Sequence, residues 1–185
     1  MLELLSRHRR VEVHWVVFSA EGKRENEARK SSRFFLRGAR RATVVAEKFR
    51  NGYFPYVGAE IKDYFETLKR AVNPDLIFTH YRDDRHQDHR LLSELTWNTF
   101  RNHMILEYEI PKYDGDLGSP NFFVPLTRAH GSQKVRHLLS SFVSQRDKQW
   151  FTAETLWALM RLRGIESCSP HGYAEAFYAR KALLA

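Results

Sequence analysis

Apolar positions along this chain recur in blocks, some with the period of a strand and some with that of a helix. VEVHWVVFSA (11–20) is rich in Val and aromatic residues, with no breaker before Gly22, and predicts a buried strand. ENEARKSSRFFLRGA (25–39) predicts a helix ended at Gly38. ATVVAEKF (42–49) predicts a second strand, and NGYFPYVG (51–58) a loop carrying Gly, Pro and three aromatic rings. In AEIKDYFETLKRAV (59–72), Ile61, Phe65 and Leu68 fall on one helical face. PDLIFTH (74–80) is a short apolar strand behind a Pro stop, and QDHRLLSELTWNTFR (87–101) is helical. Beyond it, strands are expected at 105–110 and 173–181, helices at 127–144 and 152–163, and a long polar loop at 113–121.

The alternation of strand and helix predicts an α/β fold, a Rossmann-like open and mostly parallel sheet with helices on both faces. No internal repeat, low-complexity stretch or linker interrupts it, so a single domain over 1–185 is expected. In open parallel sheets ligands bind beyond the carboxyl ends of the strands. DDRHQDHR (83–90) lies there, directly after strand 74–80.

Composition narrows the class. With 43% hydrophobic and 28% charged residues the chain reads as a soluble globular protein. Cys168 is the sole cysteine, which excludes an intrachain disulfide and a Cys-rich zinc cluster and suits a reducing cytoplasm. No apolar run approaches the roughly 18 residues of a membrane span. In MLELLSRHRR the charges follow the leucines, unlike a signal peptide. The net charge of +8 is concentrated early: residues 1–50 hold 13 Lys/Arg against 6 Asp/Glu, and residues 51–185 hold 17 against 16. No base-stacking motif accompanies the basic residues, so a solvated surface is expected rather than a nucleic-acid partner.

The candidate chemistry lies in 83–90. His86 and His89 are three apart, a spacing that on a helix brings two imidazoles to one face. Neutral imidazole is a common zinc ligand. Asp88, between them, could hydrogen-bond a histidine and fix its tautomer. Asp83 and Asp84 suit a helix N-terminus. From the pattern alone, a polar cap with two solvent-facing histidines explains the stretch equally well. A catalytic zinc usually takes three protein ligands and a water. None of the other seven histidines forms a second His–carboxylate pair at a strand end, although His80 closes strand 74–80 and could line a pocket. Tyr53, Phe54, Tyr56 and Tyr81 suit either a sugar-binding wall or the core.

PDLIFTHYRDDRHQDHR (74–90) resembles the second signature of the PIG-L (LmbE-like) family of zinc-dependent N-acetyl sugar deacetylases, Pro-Asp-[apolar]-Thr-His followed by Asp-x-x-His-x-Asp-His. HWVVFSAEGKRENEARKS (14–31) is similar to the segment after the family's second strand, and GYAEAFYARK (172–181) to its closing strand. The resemblance implies Zn2+ as cofactor with His89 as a metal ligand. It also implies His86 and Asp88 as the catalytic pair and Arg24 as a substrate-binding residue. The implied substrate is an N-acetylglucosamine-type sugar or sugar conjugate, cleaved to acetate and a free amino sugar.

The family's first signature, His-Pro-Asp-Asp-Glu, brings a His and an Asp to the zinc and a further Asp as general base; it does not occur in this sequence. MLELLSRHRR is similar to the second half of the helix that follows that signature. The family's first strand is therefore expected about thirty residues upstream of Met1, judged from the size of a strand–loop–helix unit. On that reading the domain is N-terminally incomplete, and the chain alone is expected to hold less than one zinc and to be inactive. The alternative is a non-catalytic remnant that binds a sugar or partner. An oligomer is compatible with either.

Overall fold

In the computed structural model, which describes residues 1–182, the chain runs α1 (Leu2–Arg7), β1 (Glu12–Val17), α2 (Lys23–Phe35), β2 (Arg41–Ala46), α3 (Gly58–Ala71), β3 (Leu76–His80), α4 (Gln87–Thr99), β4 (Met104–Tyr108), β5 (Phe122–Pro125), α5 (Arg128–Ser141), α6 (Ala153–Glu166) and β6 (Ala174–Ala179). The expected α/β alternation is present. β1 and β2 pair in parallel, from Glu12 opposite Arg41 to Val17 opposite Ala46. The other strands form a sheet of order β3-β4-β6-β5, with β3 and β4 parallel and β6 antiparallel to β4. Contacts group the residues into two units, Met1–Lys48 with Val124–Glu175, and Phe49–Phe123 with the residues from Ala176; of the three boundaries, the later two fall inside strands β5 and β6.

In the first unit, α2 is the crossover between the parallel strands β1 and β2, the connection that parallel pairing requires. β1 departs from the fully buried strand expected of it. Glu12 and His14 are exposed, the alternation of a strand with one solvated face. The α5–α6 hairpin packs Val135 against Leu156 and Met160, with Leu126 beneath and Trp157 and Tyr173 alongside. α1 is tied to the start of α5 through the buried Glu3, which accepts from His130 Nδ1 at 2.8 Å.

Gly164 marks the closest approach in this unit. A Cβ there would strike the Gly172 carbonyl oxygen and lie 2.6 Å from Tyr173 Cα. Alanine is favoured over glycine in a helix by up to about 1 kcal/mol, but overpacking a backbone contact that cannot rotate away costs about 1–3 kcal/mol. Gly164→Ala should therefore lower stability, by roughly 1–2 kcal/mol, read as a lower urea midpoint. A midpoint at or above wild type would contradict this packing.

In the second unit, Ile61 and Phe65 of α3 are buried, as their spacing predicts. α4 packs on α3 and on β3, burying Leu92, Thr96 and Thr99. The loop 51–58 contains a 3₁₀ turn, Phe54–Val57, whose Phe54 belongs to the core while Tyr53 and Tyr56 are exposed. Tyr81 stacks on Tyr178 with ring centroids 3.8 Å apart. β5 is the strand the pattern did not predict. Ahead of it, the Asn121 side chain both accepts from Ala179 N–H (2.8 Å) and donates to Ala179 C=O (3.0 Å), doing the work of a backbone pair with β6.

Candidate metal centre

β3 carries His80 to its carboxyl end, and the chain then folds around one buried carboxylate before α4 begins. That carboxylate is Asp84, only 2% exposed. Its Oδ1 accepts the His86 N–H at 2.8 Å, and its Oδ2 lies 2.9 Å from His89 Nδ1 and 3.1 Å from Lys112 Nζ. Asp84 is thus not the helix cap that its type suggests. The cap is His86, whose Nδ1 accepts the Asp88 N–H at 3.3 Å. Asp83 stays exposed.

These contacts give His86 and His89 opposite tautomers. A nitrogen that accepts carries no proton, so in neutral His86 the proton is on Nε2. Burial, reinforced by His89, pushes the His86 pKa down against the opposing pull of Asp88 and Asp84, which keeps the ring neutral near pH 7. His89 is the reverse. Burial alone would raise the Asp84 carboxyl. The hydrogen bond and charge of His89, the His86 N–H and the Lys112 ammonium outweigh it and hold Asp84 well below the usual carboxylate range. An ionised carboxylate only accepts, so His89 donates from Nδ1, and in the neutral ring its Nε2 keeps a lone pair. The two rings, expected on one face, are stacked with centroids 4.5 Å apart. His86 offers a proton and His89 offers a lone pair.

Asp88 was expected to hydrogen-bond a histidine side chain. Its oxygens instead accept the Gly52 N–H (2.5 Å) and the Phe54 N–H (3.1 Å), clamping the 52–54 loop to the first turn of α4. It acts on His86 through its charge and its backbone N–H. Arg24 is an exposed residue in the first turn of α2, in the first unit.

A family model described as PIG-L, GlcNAc-PI de-N-acetylase, matches residues 6–100. The chain belongs to the PIG-L family. Among solved structures it is similar to the conserved protein TT1542 from Thermus thermophilus, at 20% identity over 94% of this chain and 84% of that one, with a TM-score of 0.70. It is also similar to the N,N'-diacetylchitobiose deacetylase of Pyrococcus horikoshii, at 18% identity over 91% and 73% of the two chains, TM-score 0.61. A third is GalB, the 4-carboxy-2-hydroxymuconate hydratase of Pseudomonas putida, at 14% identity over 94% and 86%, TM-score 0.64. No curated protein sequence matches this one. Identities this low establish a shared fold, and a deacetylase and a hydratase both use it, so the reaction must be argued from the site. No helix among the described residues is long and apolar enough to cross a membrane.

The residues of this PIG-L chain suit a metal ion. His80, Asp84 and His89 offer ligand atoms within 4.8 Å of one another, two imidazoles and a carboxylate, a donor set typical of zinc. His80 Nδ1 is buried and has no hydrogen-bond partner among the described residues, as a nitrogen facing a metal would. Burial, then the neighbouring His89, pushes the His80 pKa well down, so the ring is neutral. Its face lies on that of His89, centroids 3.9 Å apart and planes within 9°. Parallel stacked rings cannot both aim an in-plane lone pair at one point, so joint ligation requires one ring to turn.

The matched stretch contains every one of these residues but not Lys112. The sequence pattern singled out His86, Asp88 and His89. It gave His80 only as a pocket-lining residue and Asp84 as a cap. Their meeting depends on the path of the 81–86 loop, which no periodicity describes.

Proposed function

We propose that this protein hydrolyses the N-acetyl group of an N-acetylglucosamine-type sugar or sugar conjugate, using zinc, in the cytoplasm. The observation that carries this reading is the opposed pair of tautomers at the end of β3, a proton donor at His86 Nε2 beside a ligand lone pair at His89 Nε2. His89 would hold the metal through Nε2, with His80 as a further donor and Asp84 polarising His89 from its Nδ1 side. When bound, zinc supplies Lewis-acid polarisation of the acetyl carbonyl and an acidified water. His86 donates its Nε2 proton in a hydrogen bond to the carbonyl oxygen as negative charge develops there. Asp88 keeps that ring oriented by fixing the turn that His86 caps. Arg24 is the substrate-binding arginine that the family resemblance assigns.

A general base is the weak part of this set. Asp84 is engaged by His86, His89 and Lys112, and Asp88 by two backbone N–H groups. With both carboxylates engaged, a second reading is supported, in which the chain binds the sugar without cleaving it. Calorimetry with an N-acetylglucosaminyl conjugate, with and without zinc, followed by an acetate-release assay, separates the cases. Zinc-dependent binding with acetate release supports the deacetylase. Binding without release leaves the non-catalytic reading. No binding under either condition removes both.

A further inference from the structure

Lys112 lies in the segment between β4 and β5, its side chain 10% exposed, and its ammonium is set between two buried carboxylates. Nζ is 3.1 Å from Asp84 Oδ2 and closer still to Asp116 Oδ2. Asp116, with 5% side-chain exposure, also accepts the Arg85 N–H at 2.7 Å, so it is fixed to the same loop that carries Asp84. Asp84 Oδ2 is the oxygen that His89 uses. The cation therefore sits on the carboxylate that either ligates a metal directly or polarises the histidine that does.

We propose that Lys112 is an internal counter-cation that competes with the metal for Asp84, and that Asp116 is the second acceptor which holds Lys112 when the metal takes Asp84. The inference rests on the metal reading above. Charge carries the argument. Asp84 and Asp116 together bring two negative charges, which a divalent ion would balance alone. With Lys112 present they are half neutralised beforehand, and a like charge in low dielectric opposes the incoming ion. If Asp84 ligates directly, Lys112 must give up that contact. If Asp84 instead orients His89, Lys112 draws electron density away from the carboxylate and makes His89 Nε2 a poorer ligand. Both routes weaken metal binding, and both leave the site stable with no metal bound.

The test measures zinc affinity by competition with a chromophoric chelator in wild type, Lys112→Met, Asp116→Asn and the double variant, each checked for folding by thermal unfolding. Lys112→Met should tighten zinc by about tenfold or more, on the scale set by groups next to metal ligands. Asp116→Asn keeps an oxygen for the Arg85 N–H but loses the negative charge that holds Lys112. It should weaken zinc, and the weakening should vanish in the double variant, which should match Lys112→Met. Unchanged or weaker zinc binding in a folded Lys112→Met overturns the inference while leaving the metal reading intact. A Lys112→Met that does not fold moves the decision to Asp116→Asn, where unchanged or tighter binding overturns it. Zinc bound by none of the four proteins overturns the inference together with the metal reading. Acetate release plays no part, so failure of the deacetylase reading would be seen separately.

Discussion

Glu107→Ala should destabilise this protein by about 3 kcal/mol, the cost of removing one partner from a buried ion pair, reduced because the other partner keeps some contact with water. Glu107 is in the interior strand β4 and fully buried. Its Oε1 accepts from Trp97 Nε1 and from the Arg180 guanidinium, each at 2.6 Å, and its Oε2 accepts the Arg82 N–H at 2.9 Å. Alanine would leave three donors without an acceptor, one of them charged. Arg180 is 29% exposed and also lies over the Trp97 ring, 4.5 Å from its centroid, so it retains some compensation. Glu107→Gln keeps one carbonyl oxygen and should cost less, about 1–2 kcal/mol. Urea unfolding of the two variants gives the comparison. A loss under about 1 kcal/mol for alanine would mean that the donors find other partners. The effect reaches the candidate site as well, because Arg82 opens the loop that turns around Asp84.

Much of the fold is legible in the sequence because it is written in local period. Ile61 and Phe65 give α3, the apolar run after Pro74 gives β3, and the pattern after His86 gives α4. β5 is not legible. Phe122–Pro125 is four residues long, too short to show alternation, and its alignment with β6 comes from long-range bonds: the Asn121 N–H to Phe177 C=O, the Leu126 N–H to Tyr173 C=O, and the Asn121 side chain on Ala179. The site divides the same way. His86 and His89 are neighbours in sequence, and their spacing announces them. Asp84 was misplaced because an acidic residue before a helix fits any of several cap positions, while which residue caps depends on the loop. Lys112, Asp116 and Glu107 read as ordinary polar residues in a loop and a strand. Their roles arise from contacts with residues far from them in sequence.

The sharpest separation within the site should come from the two histidines of the sequence motif. Zinc affinity should fall about 100-fold or more in His89→Ala and stay near wild type in His86→Ala; even a residue beside a ligand costs about 10–100-fold when removed, and a ligand should cost no less. The reason is protonation rather than distance, since both rings are near Asp84. His86 accepts at Nδ1 from the Asp88 N–H, so its remaining nitrogen is an N–H and has no lone pair for a metal. His89 donates from Nδ1 to Asp84, so in the neutral ring its Nε2 does. His86→Ala also removes the cap of α4, a loss of about 1 kcal/mol that leaves the helix in place. Asp84→Asn should fall between the two, about 10–100-fold weaker, because an amide neither matches the carboxylate's charge nor polarises His89 as strongly. The chelator competition used for Lys112 reads all three variants, and circular dichroism confirms that each is folded. Equal losses for His86→Ala and His89→Ala would show that both rings ligate, which would require the His86 proton to move to Nδ1 and the cap of α4 to break.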